Sequence, residues 1–341
     1  MSEVFIVGVD LAKRVFQLHA ADVGGHAIYR KKLSRAQFAK FLAEAPRCVI
    51  AMEACASAHH WGLEAQSAGH EVRLVPAGYV KPFVKRHKSD AVDAEAITEA
   101  ALRPSMRCVP VKTPDQQSQA MLFRTREMFV RQRTQIINGL RAHLAEFGIV
   151  LRLRIRNPDT FRREVKEKSD VLPDLAGSLA ECLLGQIASI SEQISALDTE
   201  IEQRSRSSRD AQLMQTMPGV GPMSAMAVQA FCPPAENFRT GRDFAAWLGL
   251  VPRQHSTGGK ERLGRVTKMG QKDVRRLLII GAMSVINATE RRKRCVEPWL
   301  TRMLETRPRM VVAVALANRM ARRLWAMLAT GQDYRVPRSA A

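Results

Sequence analysis

The chain has 341 residues and a hydrophobic fraction of 46%, so it is long enough for two globular domains and is not a disordered polymer. Its charge is the unusual feature, since 53 Lys and Arg residues against 33 Asp and Glu residues give a net charge of +20. The basic residues are spread through apolar-patterned segments, which predicts a folded protein that binds a polyanion, with nucleic acid as the default partner. The six cysteines form no CxxC pair, which argues against a zinc domain.

The sequence shows no sign of export or of membrane insertion. Its start lacks the basic region and the long apolar run of a signal peptide. The most apolar late stretch, 310–328, contains Arg319, Arg322 and Arg323, which would be costly in a bilayer, so a core helix with a basic face is expected. We therefore expect a cytoplasmic protein with no membrane contact.

The first third of the chain predicts an α/β domain over residues 1–112. Period-two apolar runs and turn residues predict strands at 4–9, 15–20, 27–33, 48–52 and 71–75. Helical patterns predict helices at 34–45, where Ser34 is the cap, and at 57–68 and 90–103. Strands that come first in hairpins and then alternate with helices predict a mixed sheet covered by helices.

After Pro110 and Pro114 the pattern changes to long helices. Residues 116–147 contain few helix breakers and predict one long basic helix. Apolar residues between 183 and 201 step alternately by four and three, which is the interval of a coiled coil. The pattern fits packing within the chain and packing between subunits equally well. We expect a helical, coiled-coil linker over 113–210, a mainly α-helical domain over 211–330 and a loose tail over 331–341.

Four carboxylates fall where such a sheet would gather metal ligands. Asp10 ends the first predicted strand, Glu53 ends the fourth, and Asp90 and Asp93 share one face of a helix. Hard carboxylate oxygens suit Mg²⁺, and this order on this strand layout resembles the ribonuclease-H-like, RuvC-type nucleases. Each residue also has a plainer interpretation: Asp10 as a turn former, Glu53 as a solvated strand end, Asp90 as an N-cap and Asp93 as a partner of the helix dipole.

A glycine-rich turn in the last third predicts contact with a phosphate backbone. Residues 217–222 precede a small apolar helix and resemble a helix-hairpin-helix, in which Gly219 and Gly221 let the backbone approach a phosphate. The alternative is a tight turn between two packed helices that binds no ligand.

A second glycine-rich segment carries a candidate nucleophile. Ser256 and Thr257 lie in a small, flexible loop between Arg253 and Lys260. Further basic residues that could contact phosphate follow: Arg262, Arg265, Lys268, Arg275 and Arg276. A serine hydroxyl is a weak nucleophile unless cations or a metal stabilise its developing charge. The loop taken alone favours a plainer role, a serine that hydrogen-bonds its own turn.

These motifs together make the chain similar, over nearly its whole length, to the DEDD insertion-sequence transposases. The matching stretches are Val9–Lys13, Met52–Ala54, Lys88–Ala94, Pro218–Gly221 and Arg253–Lys260. The resemblance implies a RuvC-like domain joined by a helical region to a serine-bearing transposase domain. It also implies that Asp10, Glu53, Asp90 and Asp93 bind Mg²⁺ and that Ser256 attacks DNA to form a covalent phosphoserine link.

The resemblance implies a transposase that cleaves and exchanges DNA strands, with an element-encoded bridge RNA as the guide. The family's Ile-Ser-Lys stretch appears here as residues 266–268, Val-Thr-Lys, and Thr257 leaves open which hydroxyl acts beside Ser256. A junction-resolving endonuclease that uses water and two metal ions is the second hypothesis. A nucleic-acid-binding protein without catalysis is the third, and it would be expected to lack a carboxylate, whereas all four are present.

The carboxylates and Ser256 stand in different predicted domains, joined by a linker with a helix of about 30 residues. We therefore expect a homo-oligomer, a dimer or tetramer, in which the carboxylates of one subunit meet Ser256 of another. Asp10→Asn and Ser256→Ala proteins, each inactive alone, should recover cleavage of labelled DNA when mixed, because some shared sites then contain both intact halves. No recovery in confirmed mixed oligomers would indicate sites built within single chains.

Overall fold

The structure is a computed structural model that describes residues 3–84, 90–152, 158–292 and 297–335. Lys88 and Ser89 of the matching stretches, Cys295, and residues 336–341 of the predicted tail lie outside these residues. The chain divides into two compact units, Met1–Asp115 and Gln116–Ala341.

The first unit is a five-stranded mixed sheet with helices packed on both faces. Its elements are β1 Ile6–Asp10, β2 Val15–Ala21, β3 Ala27–Ser34, α1 Arg35–Glu44, β4 Val49–Glu53, α2 Ala58–Ser67, β5 Glu71–Val75, α3 Ala77–Val80 and α4 Asp90–Leu102. The strand order is β3-β2-β1-β4-β5, antiparallel from β3 to β1 and parallel from β1 to β5. The predicted mixed sheet is confirmed.

The residue pattern of the strands explains why both faces are covered. Val7 and Val9 of β1 pack with Phe38 and Trp61 on the face of α1 and α2. The alternate residues of β1, which begin with Ile6, face α4. β1 is buried on both sides because it lies at the centre of the sheet, which is why it reads as a continuous apolar run.

The helix α4 approaches β1 closely, and this approach depends on Gly8. A Cβ atom at Gly8 would lie 2.1 Å from Thr98 Oγ1 and 2.6 Å from the carbonyl oxygen of Ala94. The Thr98 hydroxyl has two acceptors within reach, the carbonyl oxygens of Ala94 (3.0 Å) and His19 (3.2 Å). No side chain therefore separates helix from strand at this point, and the first turn of α4 is held near the end of β1.

The described part of the second unit is helical apart from one hairpin; the sequence predicted the helices but not the hairpin. Its elements are α5 Pro114–Ala145, which starts two residues earlier, α6 Pro158–Glu167, α7 Asp174–Ser207, α8 Arg209–Gln215, α9 Pro222–Phe231, α10 Gly241–Trp247, β6 Pro252–Gln254, β7 Leu263–Val266, α11 Lys272–Arg292, α12 Pro298–Thr306 and α13 Arg309–Thr330. Val312, Leu316 and Met320 bury one face of α13 in the core. None of the described helices is long and apolar enough to span a bilayer.

The coiled-coil seam of α7 packs within the chain. Ile187, Ile194 and Ile201, seven residues apart, are buried. An ion pair and a hydrogen bond from α5 accompany this packing: Arg126 pairs with Asp198, and Arg133 donates to Ser191 Oγ at 3.3 Å. The sequence left open whether this seam packs within the chain or between subunits. In the structure it packs within one chain.

The described part of the predicted tail has contacts with the second unit. The backbone N–H of Tyr334 donates to Thr216 Oγ1 at 2.9 Å. The Tyr334 ring packs against the helical core, and its hydroxyl lies 3.4 Å from Glu297 Oε1. Order therefore extends past the end of α13 at least to this residue.

We expect Gly8→Ala to lower the free energy of unfolding by about 1–3 kcal/mol, because the new methyl group must push α4 away from β1. Gly78→Ala is the matched control, since a Cβ at Gly78 meets nothing within 4 Å. Urea unfolding of both variants checks this. Equal stability of Gly8→Ala and the unmodified protein would show that the approach is less tight than described.

Candidate metal centre and nucleic-acid interface

Three of the four predicted metal ligands come together in the first unit. Asp10, Asp90 and Asp93 each offer one carboxylate oxygen, and these oxygens all lie within 4.8 Å of one another. Asp10 and Asp93 are half-buried whereas Asp90 is exposed, so the cluster is accessible from solvent. Residues 80 positions apart in the sequence thus form one group.

Local structure explains why these three side chains meet. Val9 of β1 points into the core of α1 and α2, so its neighbour Asp10 points to the opposite face, towards α4. Asp90 and Asp93 both lie in the first described turn of helix α4, where the helix dipole favours negative charge. Asp90 is thus a helical residue and not the N-cap that the plainer interpretation required.

Glu53 lies on the adjacent strand but is not part of the group of three. Strands β1 and β4 are parallel with Val9 opposite Met52, so the next residues, Asp10 and Glu53, are neighbours on the α4 face. Burial, together with the negative charges of Glu53 and Asp10, raises the pKa of the Cys55 thiol. Cys55 therefore belongs to the surroundings of the carboxylates, which the sequence did not indicate.

The cluster has the chemistry of a site for a hard divalent cation. All its donors are carboxylate oxygens, the ligands that such cations prefer. Three like charges this close repel one another, and a bound cation would offset that repulsion. The exposed side, at Asp90, leaves room for a further ligand such as a phosphate oxygen.

In the second unit, Ser256 lies on a β-hairpin where the sequence predicted a flexible loop. Strands β6 and β7 pair antiparallel, and the backbone N–H of Lys260 donates to the Thr257 carbonyl oxygen at 3.1 Å. Gly258 and Gly259 both have positive φ, +57° and +76°, as a two-residue type I′ turn requires. A Gly-Gly pair between two short polar strands is the signal that could have predicted this hairpin.

The Ser256 side chain is exposed and takes part in one local hydrogen bond. Its Oγ accepts from the backbone N–H of Arg262 across the hairpin at 3.3 Å. The His255 ring occupies the space above Gly264, where a Cβ would lie 2.9 Å from His255 Cδ2. The local bond agrees with the plainer interpretation of Ser256, and it also holds the hydroxyl at the surface beside a peptide N–H.

The basic residues predicted to contact phosphate fall into two groups. In the first group the side chains are exposed and form no salt bridge with a described residue; its members are Lys260, Arg262, Arg265 and Lys268. Arg253 is also exposed, and its Nη2 donates weakly to the Thr267 carbonyl oxygen at 3.4 Å. Within the hairpin, Arg253, Lys260, Arg262 and Arg265 outnumber the one acidic residue, Glu261, and give it a net positive charge.

The second group has partners inside the unit. Arg275 Nη1 donates to the carbonyl oxygens of Leu248 at 2.8 Å and Met269 at 3.0 Å. Arg276 forms a two-point ion pair with Glu127 of α5, at 2.6 and 3.2 Å. These contacts anchor the start of α11, so both side chains have a structural role whether or not they also contact nucleic acid.

The two glycines of the predicted helix-hairpin-helix differ in their surroundings. Gly219, at φ +86°, packs against α11, because a Cβ there would lie 2.8 Å from the Gly281 carbonyl oxygen. Gly221 is the exposed N-cap of α9, and a Cβ there would meet nothing within 4 Å. Packing alone therefore accounts for Gly219, while Gly221 leaves the start of α9 open.

Comparison with known families gives two matches, one to each of these regions. A DEDD transposase family matches residues 7–149, the part that contains the carboxylates. The family described as Transposase IS116/IS110/IS902 matches residues 211–297, the part that contains the hairpin.

Curated proteins are similar over almost the full length. A protein of Pseudomonas aeruginosa named as a probable family 20 transposase is 45% identical over 96% of this chain and 98% of its own. The transposase for insertion sequence element IS1328 of Yersinia enterocolitica is 37% identical over 97% and 98%. The transposase for insertion sequence element IS1111A of Coxiella burnetii is 36% identical over 98% and 92%.

The carboxylate cluster predicts a divalent-cation-dependent gain in stability. Mg²⁺ or Mn²⁺ at 100 times its Kd should raise the free energy of unfolding by about 2.7 kcal/mol over that in EDTA. Asp10→Asn and Asp93→Asn should lose this gain and be no less stable in EDTA, since each removes one of several repelling charges. Thermal unfolding measures both, with Glu44→Gln as a control that keeps the gain; an undiminished gain in both Asp variants would contradict the site.

Proposed function

The chain belongs to the IS110/IS116 family of insertion-sequence transposases, and within that function we propose that Ser256 is the nucleophile that cleaves DNA. The observation that carries the proposal is the exposed hairpin, which presents the Ser256 hydroxyl among basic side chains that have no acidic partner among the described residues. A DNA phosphate is the complementary group, because it brings both the charge and the electrophilic phosphorus.

In the proposed cleavage step, Ser256 Oγ forms a bond to phosphorus and the P–O bond to one deoxyribose oxygen breaks. The hydroxyl proton is released, and the departing sugar oxygen takes up a proton to become a free hydroxyl. The peptide N–H of Arg262, 3.3 Å from Oγ, would stabilise negative charge on that oxygen as the proton leaves. Because one phosphoester replaces another, a strand hydroxyl can later reverse the step and join a new DNA end.

We propose that Asp10, Asp90 and Asp93, with Glu53 on the adjacent strand, hold Mg²⁺. Transposases of the DEDD type use a divalent metal, and the grouping of three carboxylate oxygens supports these residues as its ligands. Bound Mg²⁺ would neutralise phosphate charge and make the phosphorus more electrophilic. These side chains would hold the ion beside the end of β1, and the exposure of Asp90 would leave it accessible to a phosphate.

Two further features support binding of the DNA backbone without reading of its bases. The hairpin residues Lys260, Arg262 and Arg265 offer exposed cationic groups. The N-terminus of α9 at Gly221 offers backbone N–H groups and the positive end of a helix dipole. We propose that these groups hold the phosphates, and that Lys268 and Arg253 add to this surface.

We propose further that an element-encoded bridge RNA supplies the base pairing and that the protein acts as a homo-oligomer, a dimer or tetramer. The family resemblance supports both parts. The net charge of +20 supports a second polyanion beside DNA, since it exceeds what one hairpin and one helix end account for.

A covalent adduct tests the nucleophile. Incubation with labelled element-end DNA and Mg²⁺ should give a protein–DNA species that survives denaturation in SDS. Ser256→Ala should abolish this species, because the Ser256 hydroxyl is the one that accepts the Arg262 N–H among the described residues, whereas the matched control Thr257→Val should retain it. Gel electrophoresis of the denatured mixture measures both.

The opposite outcome has a clear meaning. A nuclease that uses water would release free cleaved ends, and Ser256→Ala would cleave as well as the unmodified protein. Loss of the adduct in Thr257→Val, with retention in Ser256→Ala, would assign the nucleophile to Thr257. Either result would remove Ser256 from the reaction while leaving the family membership intact.

A further inference from the structure

The register of the sheet places one polar side chain from each of four strands in a single row. Asp10 of β1 is opposite Gln17 of β2, and Gln17 is opposite Lys32 of β3. Glu53 of β4 follows on the other side of Asp10. The row Lys32, Gln17, Asp10, Glu53 therefore crosses the sheet at the level of the carboxylate cluster.

The packing of the neighbouring residues shows that this row lies on the α4 face. Phe16 and Leu18, on either side of Gln17, are buried in the core under α1 and α2, so Gln17 points the opposite way. Arg30, two residues before Lys32 on the same face, donates to Glu95 of α4 at 2.8 Å. Lys32 thus extends from the same face as Asp10.

The charged group of Lys32 differs from those of the neighbouring basic residues in having no close partner among the described residues. Arg30 is paired with Glu95, and Lys31 lies on the opposite face with its Nζ 4.5 Å from the centre of the Tyr29 ring. Lys32 is exposed and forms no salt bridge with a described residue. It lies on β3, which is an edge strand of the sheet as described.

The spacing suits a nucleic-acid strand that crosses the row. Directly opposed residues of adjacent strands have Cβ atoms about 5 Å apart, so the Cβ of Lys32 lies roughly 10 Å from that of Asp10. The flexible Lys side chain can shorten this gap and reach a phosphate next to one that a cation bound at Asp10 would hold. Gln17 lies between them with a carboxamide that can donate to a phosphate oxygen.

We propose that Lys32, with Gln17 beside it, forms a phosphate subsite that binds the DNA backbone next to the phosphate being cleaved. The proposal rests on the proposed function, in which the carboxylates mark the cleavage position. Lys32 acts here as a positioning residue. It touches a non-reacting phosphate and aligns the strand, while the chemistry takes place at the carboxylates and Ser256.

The test compares Lys32→Ala with Lys31→Ala, since these two adjacent lysines lie on opposite faces of the sheet. DNA binding is measured in EDTA across a series of salt concentrations, and cleavage is measured with Mg²⁺ across a series of DNA concentrations. Lys32→Ala should raise Kd and the half-saturating DNA concentration about ten-fold, while the cleavage rate at saturating DNA stays within about two-fold. The slope of log binding constant against log salt concentration should fall by roughly one released ion. Lys32→Arg should restore binding, and Lys31→Ala should change none of these.

Equal losses in Lys31→Ala and Lys32→Ala would overturn the proposal, because general charge attraction would then explain both. Unchanged binding and cleavage in Lys32→Ala would overturn it too. Parallel measurement of Asp10→Asn separates the proposal from the proposed function. If Asp10→Asn still cleaves DNA, the carboxylate site fails. If only Asp10→Asn loses cleavage while Lys32→Ala behaves as the unmodified protein, the subsite alone fails.

Discussion

The contact between Gly8 and the helix α4 is the constraint on which the candidate metal centre depends. The helix lies directly on β1 because Gly8 has no side chain to hold it off, and the Thr98 hydroxyl lies within bonding distance of a backbone carbonyl of β2. Asp10 comes two residues after Gly8 on the same face, and Asp90 and Asp93 form the first turn of the same helix. One close approach therefore brings three carboxylates of like charge to within a few ångströms, against their mutual repulsion.

The serine is held by a different kind of structure. Ser256 lies on an exposed hairpin whose shape comes from backbone pairing and from two glycines at positive φ, without a core of its own. The hairpin carries cations that form no salt bridge with a described residue, and its net charge is positive. In the proposed function, the carboxylate cluster holds a metal ion and the exposed cationic hairpin reaches a DNA strand.

Positive charge serves two purposes in this molecule, and the distinction affects how its basic residues are interpreted. Arg276 pairs with Glu127, and Arg275 donates to two backbone carbonyls, so both stabilise the helical unit. Lys260 and Lys32 have no such partner among the described residues and remain available to a polyanion. The sequence shows these residues only as a uniform excess of Lys and Arg, because it does not record which cations already have an anion nearby.

Local pattern was enough to predict the mixed sheet, the helical second half and the four carboxylates, because strand alternation, the Ser34 cap and a strand-terminal Asp or Glu are short-range signals. Tertiary structure decided the rest. It brought Asp90 to Asp10 but left Glu53 outside the closest group, turned the Ser256 loop into a hairpin, and assigned Gly219 to packing against Gly281. It also aligned Lys32 and Gln17 with Asp10. These relations depend on strand register and on the distance between a helix and a sheet, which are set by contacts between residues far apart in the chain and so leave no local pattern to read.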